Sequence, residues 1–84
     1  MKYHLDIARS AEHQFKKLPI TLQDRIIPKL LSLEDNPRPF GTKKLRDSSF
    51  YRIRIGDYRV IYSIDDRSAI VRILDIAHRR DVYR

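Results

Sequence analysis

Tyr51-Arg52-Ile53-Arg54-Ile55-Gly56-Asp57-Tyr58-Arg59-Val60-Ile61-Tyr62-Ser63-Ile64 decides how this chain folds. Tyr51, Ile53 and Ile55 alternate with Arg52 and Arg54. After Gly56-Asp57, Tyr58, Val60, Tyr62 and Ile64 alternate with Arg59, Ile61 and Ser63. Side chains of a strand point to opposite faces in turn, so period two predicts two strands, each with one apolar face. The Gly-Asp dipeptide between them predicts a tight β-hairpin. Downstream, Asp65-Asp66-Arg67-Ser68 reads as a turn, and 69–77 as a third strand. That strand is more continuously apolar, as expected of one in the sheet interior.

Upstream, 40–49 reads as loop, with Gly41 and Asp47-Ser48-Ser49 as turn formers. Before it, Leu22, Ile26, Leu30 and Leu33 recur at helical spacing, widened by Ile27 and Leu31. Thr21 is the expected cap of this helix, and Asn36-Pro37-Arg38-Pro39 ends it. Pro28 lies inside the pattern and lacks a backbone donor, which predicts a kink or a restart. Ala11, Phe15 and Leu18 form an earlier helix, with Ser10 as expected N-cap and Leu18-Pro19 as its end. Tyr3, Leu5 and Ile7 alternate with polar residues as a first strand. The order is β-α-α-β-β-β, an α+β fold. A helical hairpin packs on one face of a small, mostly antiparallel sheet.

Composition narrows the function. The 84 residues are read as a single domain, 1–84, with a thin core. Lys and Arg number 18 against 11 Asp and Glu, a net charge of +7. So basic a small domain points to a polyanionic partner: nucleic acid, an acidic protein or a membrane surface. Without cysteine there is no disulfide or thiolate metal site. The first residues, Met1-Lys2-Tyr3-His4-Leu5-Asp6-Ile7, read as neither a secretory signal nor a membrane span, and cytoplasm is the expectation. His4, His13 and His78 lack metal-ligand spacing, and Gly41 and Gly56 stand alone rather than in a phosphate loop. No Ser-His-Asp or Cys-His arrangement is suggested, so no cofactor and no metal are expected.

If the helices cover the apolar face of the hairpin, Arg52, Arg54 and Arg59 share the other. A solvated sheet face normally mixes Thr, Glu and Lys, whereas this one is almost purely Arg. The guanidinium fork matches phosphate, which favours anion binding. Lys43, Lys44 and Arg46 extend the basic surface from the preceding loop. Arg79, Arg80, Tyr83 and Arg84 follow the last strand, where an arginine can reach the open face and Tyr83 suits base stacking.

The hairpin, together with Ile76-Ala77-His78-Arg79-Arg80-Asp81-Val82-Tyr83-Arg84, resembles the RelE branch of the RelE/ParE toxin superfamily. Lys44-Leu45-Arg46 and Asn36-Pro37 support the likeness, which spans nearly the whole chain and its element order. The resemblance implies a RelE-like microbial ribonuclease fold and the toxin of a type II toxin–antitoxin system. It further implies ribosome-dependent, metal-independent cutting of messenger RNA in the decoding A site, which inhibits translation. A cognate antitoxin is implied as partner, with ribosomal RNA contacts. Arg59 resembles the arginine that holds the scissile phosphate, Arg79 the one that assists the leaving group, and Tyr83 the tyrosine near the substrate base. Tyr83 stands closer to Arg79 than its counterpart does in the best-known member. Arg54 joins these as a catalytic candidate; Arg52, Lys43, Lys44, Arg46 and Arg80 are the RNA-binding candidates. Arg52 and Arg54 stand where the best-known member has two lysines. Arginine does not give up its proton, so the general base stays open. His78 is a further proton carrier, ranked below Tyr83 because an extended strand turns it away from Arg79. Two alternatives stand beside this reading: a ParE-like gyrase inhibitor, and a non-catalytic basic RNA- or ribosome-binding module.

Overall fold

The hairpin forms where the alternation places it. The computed structural model describes residues 2–46 and 49–78. The elements in chain order are β1 (His4–Ile7), α1 (Arg9–Lys16), α2 (Ile20–Ser32), β2 (Lys43–Lys44), β3 (Phe50–Ile55), β4 (Tyr58–Asp65) and β5 (Ile70–His78). They build a five-stranded sheet in the order β1-β5-β4-β3-β2. β1 runs parallel to β5 and every other pairing is antiparallel. The α+β architecture with its helical hairpin is as expected, and the most apolar strand, β5, lies inside the sheet.

Gly56 and Asp57 form the two-residue connection between Ile55 and Tyr58. Gly56 has φ +60° and Asp57 is not in the positive-φ region. Positive φ at the first central position alone is the type II′ pattern, whose twist suits a hairpin and favours glycine there. The turn fixes the register, and the register assigns every side chain to a face. One irregularity follows: Ile61 pairs with Asp75 but Tyr62 with Ile73, so Leu74 is an extra residue in β5.

The core is where the apolar stripes meet. Ala11 of α1 and Ile26 and Leu30 of α2 pack with Leu33 against Ile53, Ile55, Val60, Tyr62, Val71, Ile73 and Ile76 of the sheet. Burying each aliphatic side chain of this kind contributes about 1.5–3 kcal/mol.

Three local expectations are corrected, and a fourth is narrowed. Ser10 is not the cap of α1. The Ala8 N–H donates to the Ile73 carbonyl at 2.8 Å, and the helix starts at the next residue. Thr21 is not the cap of α2 either: Pro19 holds that position and its carbonyl accepts from Leu22 and Gln23, each at 3.0 Å. Pro28 lies inside a continuous α2, which removes the restart and leaves the kink of the two expectations. Lys43 and Lys44, expected in a loop, form an edge strand against Arg52 and Tyr51.

Tyr62 is the largest fully buried side chain. Its hydroxyl donates to the Pro37 carbonyl at 2.8 Å and shares a 3.1 Å hydrogen bond with the Thr42 hydroxyl. Burial pushes the phenol above its ordinary 10.0, so it stays a neutral donor at neutral pH. Tyr62→Phe keeps the ring and strands the carbonyl of buried Pro37. The expected loss is about 1–3 kcal/mol. Urea unfolding should show a lower midpoint at unchanged slope; an unchanged midpoint would contradict the role given to the hydroxyl.

Candidate nucleic-acid interface

On the face that the helices leave open, the register places Arg54 directly opposite Arg59, and Arg52 opposite both Ile61 and Lys43. Directly paired residues share a face, so Lys43, Arg52, Arg54 and Arg59 form one cationic field over β2, β3 and β4. Like charges directly opposite each other repel. The neighbouring part of the same face is neutralised: Arg72 of β5 donates to Asp6 of β1 at 2.9 Å. Arg52 and Arg59 take part in neither of the ion pairs found among the described residues.

Arg59 is half-buried, and its Nε–H is buried without a hydrogen-bond partner among the described residues. A buried cationic donor left unpaired is costly, and most such groups in native proteins are satisfied. An anion on this face would supply the acceptor, and phosphate oxygens match the fork of a guanidinium.

The remaining candidates divide. Lys44 pairs with Tyr51 and so lies on the face opposite Arg52 and Lys43. Arg46 is exposed in the turn after β2, where the Leu45 N–H donates to the Phe50 carbonyl at 2.9 Å. Arg79, Arg80 and Tyr83 lie outside the described residues. His78 pairs with Tyr58 and meets its ring edge-on, at 5.2 Å between centroids. That puts it on the helix-covered face, across the sheet from Arg59. Beside it, Leu22, Arg25 and Asp57 line a cavity of about 230 Å³. Among the described residues no group of three or more His, Cys, Asp or Glu side chains is placed to hold a metal ion. No described helix is long and apolar enough to cross a membrane.

Sequence reasoning missed a polar cluster at the margin of the helix-covered face, around Tyr51. Arg38 donates from both terminal nitrogens to Asp66, at 3.2 and 2.9 Å, and from Nε to the Tyr51 hydroxyl at 3.3 Å. Tyr3 donates to the same carboxylate at 2.6 Å. Arg38 also stands 5.2 Å from the centroid of the Tyr51 ring, which stacks on Tyr62 at 5.9 Å. The partners are 13 to 63 residues apart in sequence, beyond the reach of any local pattern.

Residues 5–83 match the family model described as "ParE toxin of type II toxin-antitoxin system, parDE". Toxin RelE of Mycobacterium tuberculosis is 35% identical, over 98% of this chain and 87% of that protein. The mRNA interferase toxin RelE of Escherichia coli is 28% identical, over 94% of this chain and 85% of that protein. The crystal structure of the archaeal RelE-RelB complex from Pyrococcus horikoshii OT3 superimposes with a TM-score of 0.84 at 32% identity, covering 94% of this chain and 97% of that one.

The Arg38 guanidinium, then Tyr3, hold the Asp66 carboxyl below its ordinary 3.8. A carboxylate with a lowered folded pKa stabilises the protein fully above its unfolded value, and that contribution is lost as pH falls through the folded value. Asp66→Asn should therefore lower the melting temperature at neutral pH. The gap to the parent should close as the pH drops below about 3.9, the ordinary aspartate value. A gap that is constant from neutral to acid pH would contradict the pairing.

Proposed function

The chain belongs to the ParE toxin family of type II toxin–antitoxin systems and is of the RelE type, and on that premise we propose that it is a ribosome-dependent endoribonuclease acting on messenger RNA in the decoding site. The observation that carries this reading is the buried Nε–H of Arg59, without a partner among the described residues, beside Arg54 in a field with Arg52 and Lys43.

The chemistry is transesterification within the RNA. The 2′-hydroxyl attacks the adjacent phosphorus in line, and the bond to the 5′-oxygen of the next nucleotide breaks. That oxygen leaves with a proton, giving a 2′,3′-cyclic phosphate and a 5′-hydroxyl. Negative charge builds on the non-bridging oxygens as the attack proceeds. Preorganised donors aimed at that charge are the largest help a protein can give. Arg59 holds the phosphate, and Arg54, directly across the ladder, adds a second guanidinium. Arg79 assists the leaving oxygen, and Tyr83 is the candidate proton carrier. Arg52, Lys43, Arg46 and Arg80 bind RNA along the approach, and Lys44, on the opposite face of the sheet, is left out of this set. The ribosome splays the codon and aligns the attack. No metal ion takes part, the site of action is the cytoplasm, and residues 1–84 act as one domain.

The partner is a cognate antitoxin, as in the intact E. coli RelBE toxin-antitoxin complex of similar fold. A field this basic suits an acidic or amphipathic segment that covers it, and the association slows as salt screens the attraction. The gyrase-directed alternative shares the family description. The RNA reading is preferred because the Escherichia coli relative is named an mRNA interferase and because the arginine field matches phosphate.

The test uses purified protein with translating ribosomes. Cuts should map within the codon in the A site and end in cyclic phosphate, and 2′-O-methylation at the cut nucleotide should abolish them. Arg59→Ala should slow single-turnover cleavage about 100- to 1000-fold, with a much smaller change in ribosome affinity. Absence of cutting with gyrase inhibition would favour the alternative. Equal, small losses of rate and affinity would remove Arg59 from the chemistry.

A further inference from the structure

Phe40 is fully exposed. A lone exposed apolar residue needs no explanation, but the setting of this one is built. The Thr42 N–H donates to the Pro39 carbonyl at 3.0 Å, which closes a turn with Phe40 and Gly41 at its centre. Gly41 has φ +94° and Phe40 is not in the positive-φ region, the pattern of a type II turn with glycine at its third position. A Cβ on Gly41 would meet nothing within 4 Å, so glycine serves the backbone angle rather than close packing. Both flanks of the turn are tied to the core through Tyr62, whose hydroxyl bonds Pro37 and Thr42. Arg38, between them, is held by Asp66 and Tyr51. The ring of Phe40 is thus presented on an anchored turn, and little backbone freedom remains to be lost on binding.

Beside it lies an open groove of about 370 Å³. Lys29 of α2, Lys43 of β2, and Arg52 and Arg54 of β3 line it with Phe40, and no acidic side chain does among the described residues. The groove shares Arg52 and Arg54 with the arginine field, so a strand bound there runs on towards Phe40. Cations interleaved with one accessible aromatic face match single-stranded RNA, whose phosphates follow the charge and whose bases stack. An amphipathic helix would need several apolar anchors, and the only other apolar lining residue, Ile53, is 6% exposed.

We propose that Phe40 is a stacking platform for a nucleobase of single-stranded RNA flanking the cut site, with Lys29 and Lys43 on the accompanying phosphates. The proposal rests on the ribonuclease reading for the identity of the strand but not for its test.

The chain contains no tryptophan, so Phe40→Trp provides a single indole reporter. At low salt, a short single-stranded oligoribonucleotide should quench it, and an abasic oligomer of equal charge should not. By anisotropy of a labelled oligomer, Phe40→Ala and Phe40→Leu should each weaken binding on the order of 10- to 100-fold, while Phe40→Tyr and Phe40→Trp keep it. Lys43→Ala should lower affinity in a salt-dependent way with the quenching amplitude retained. Equal binding by Phe40→Leu and the parent, or equal quenching by the abasic oligomer, would overturn the platform. So would unchanged RNA binding with loss of antitoxin binding in Phe40→Leu, which would give the surface to a protein. Binding is read without ribosomes or cleavage. A chain that stacks RNA but does not cut supports this inference while defeating the ribonuclease reading, and a chain that cuts without stacking does the reverse.

Discussion

Tyr62 brings its ring into the middle of the core and carries its hydroxyl to the core's margin, where it holds Pro37 and Thr42. One side chain therefore answers to two demands. The ring must lie on the face of β4 that also carries Val60 and Ile64, and the hydroxyl must reach a loop 20 to 25 residues upstream. Only one register of β4 on β3 and β5 meets both, because a slip by one residue would send the ring to the arginine face and leave the Pro37 carbonyl without its donor. In a chain of 84 residues, whose core is necessarily thin, a contact that joins sheet and loop in this way has weight beyond its own energy.

That same register sets two guanidinium groups against each other. The type II′ turn and the apolar face together leave Arg54 and Arg59 directly opposite each other. The Nε–H of Arg59 is unsatisfied among the described residues. By contrast, Arg72 on the same sheet has Asp6 at 2.9 Å, so charge balance was available to this fold and was applied where β5 meets β1. A buried Arg59 Nε–H left open beside an ion pair made neutral is the arrangement expected when an external anion supplies the missing acceptor.

The parts of this structure governed by period were legible from residues alone. Alternation in β3 and β4 assigned the arginines to one face, and the stripe of Ile26, Leu30 and Leu33 assigned α2 to the other. Helix starts were misread because a cap residue is only a local preference. The chain leaves β1 already bonded to Ile73, and Pro19 pre-sets the backbone for α2, so Ser10 and Thr21 were not needed. β2 escaped because two residues carry no period; its pairing is dictated by Tyr51 and Arg52 across from it. Lys43 and Lys44, read together as one basic surface, are divided between faces by that pairing. Arg38 and Asp66 could not be joined from sequence, since the turn and the loop they link are 28 residues apart. Phe40 carried a usable signal in its neighbour Gly41, but an aromatic in a loop gives no indication of whether it turns inward or out.

The two sides of the sheet are finished unequally, and the difference bears on where function can reside. Beyond the short β1, α1 closes the edge of β5: the Ala8 N–H donates to Ile73, and the Gln14 side chain accepts from the Ile76 N–H at 2.9 Å while donating to Asp75 at 2.8 Å. β1 pairs with β5 only as far as Ile73, so the helix supplies partners to β5 where β1 has ended. At the other side, β2 pairs only with Tyr51 and Arg52, and β3 from Ile53 to Ile55 has no strand beyond it among the described residues. An open edge is a liability that proteins usually blunt with charge. Here the charge is Lys43, Arg52 and Arg54, the same side chains that line the groove beside Phe40. The groups that keep this edge from pairing with another sheet are thus the groups that attract a phosphate chain, and one cationic surface meets both needs.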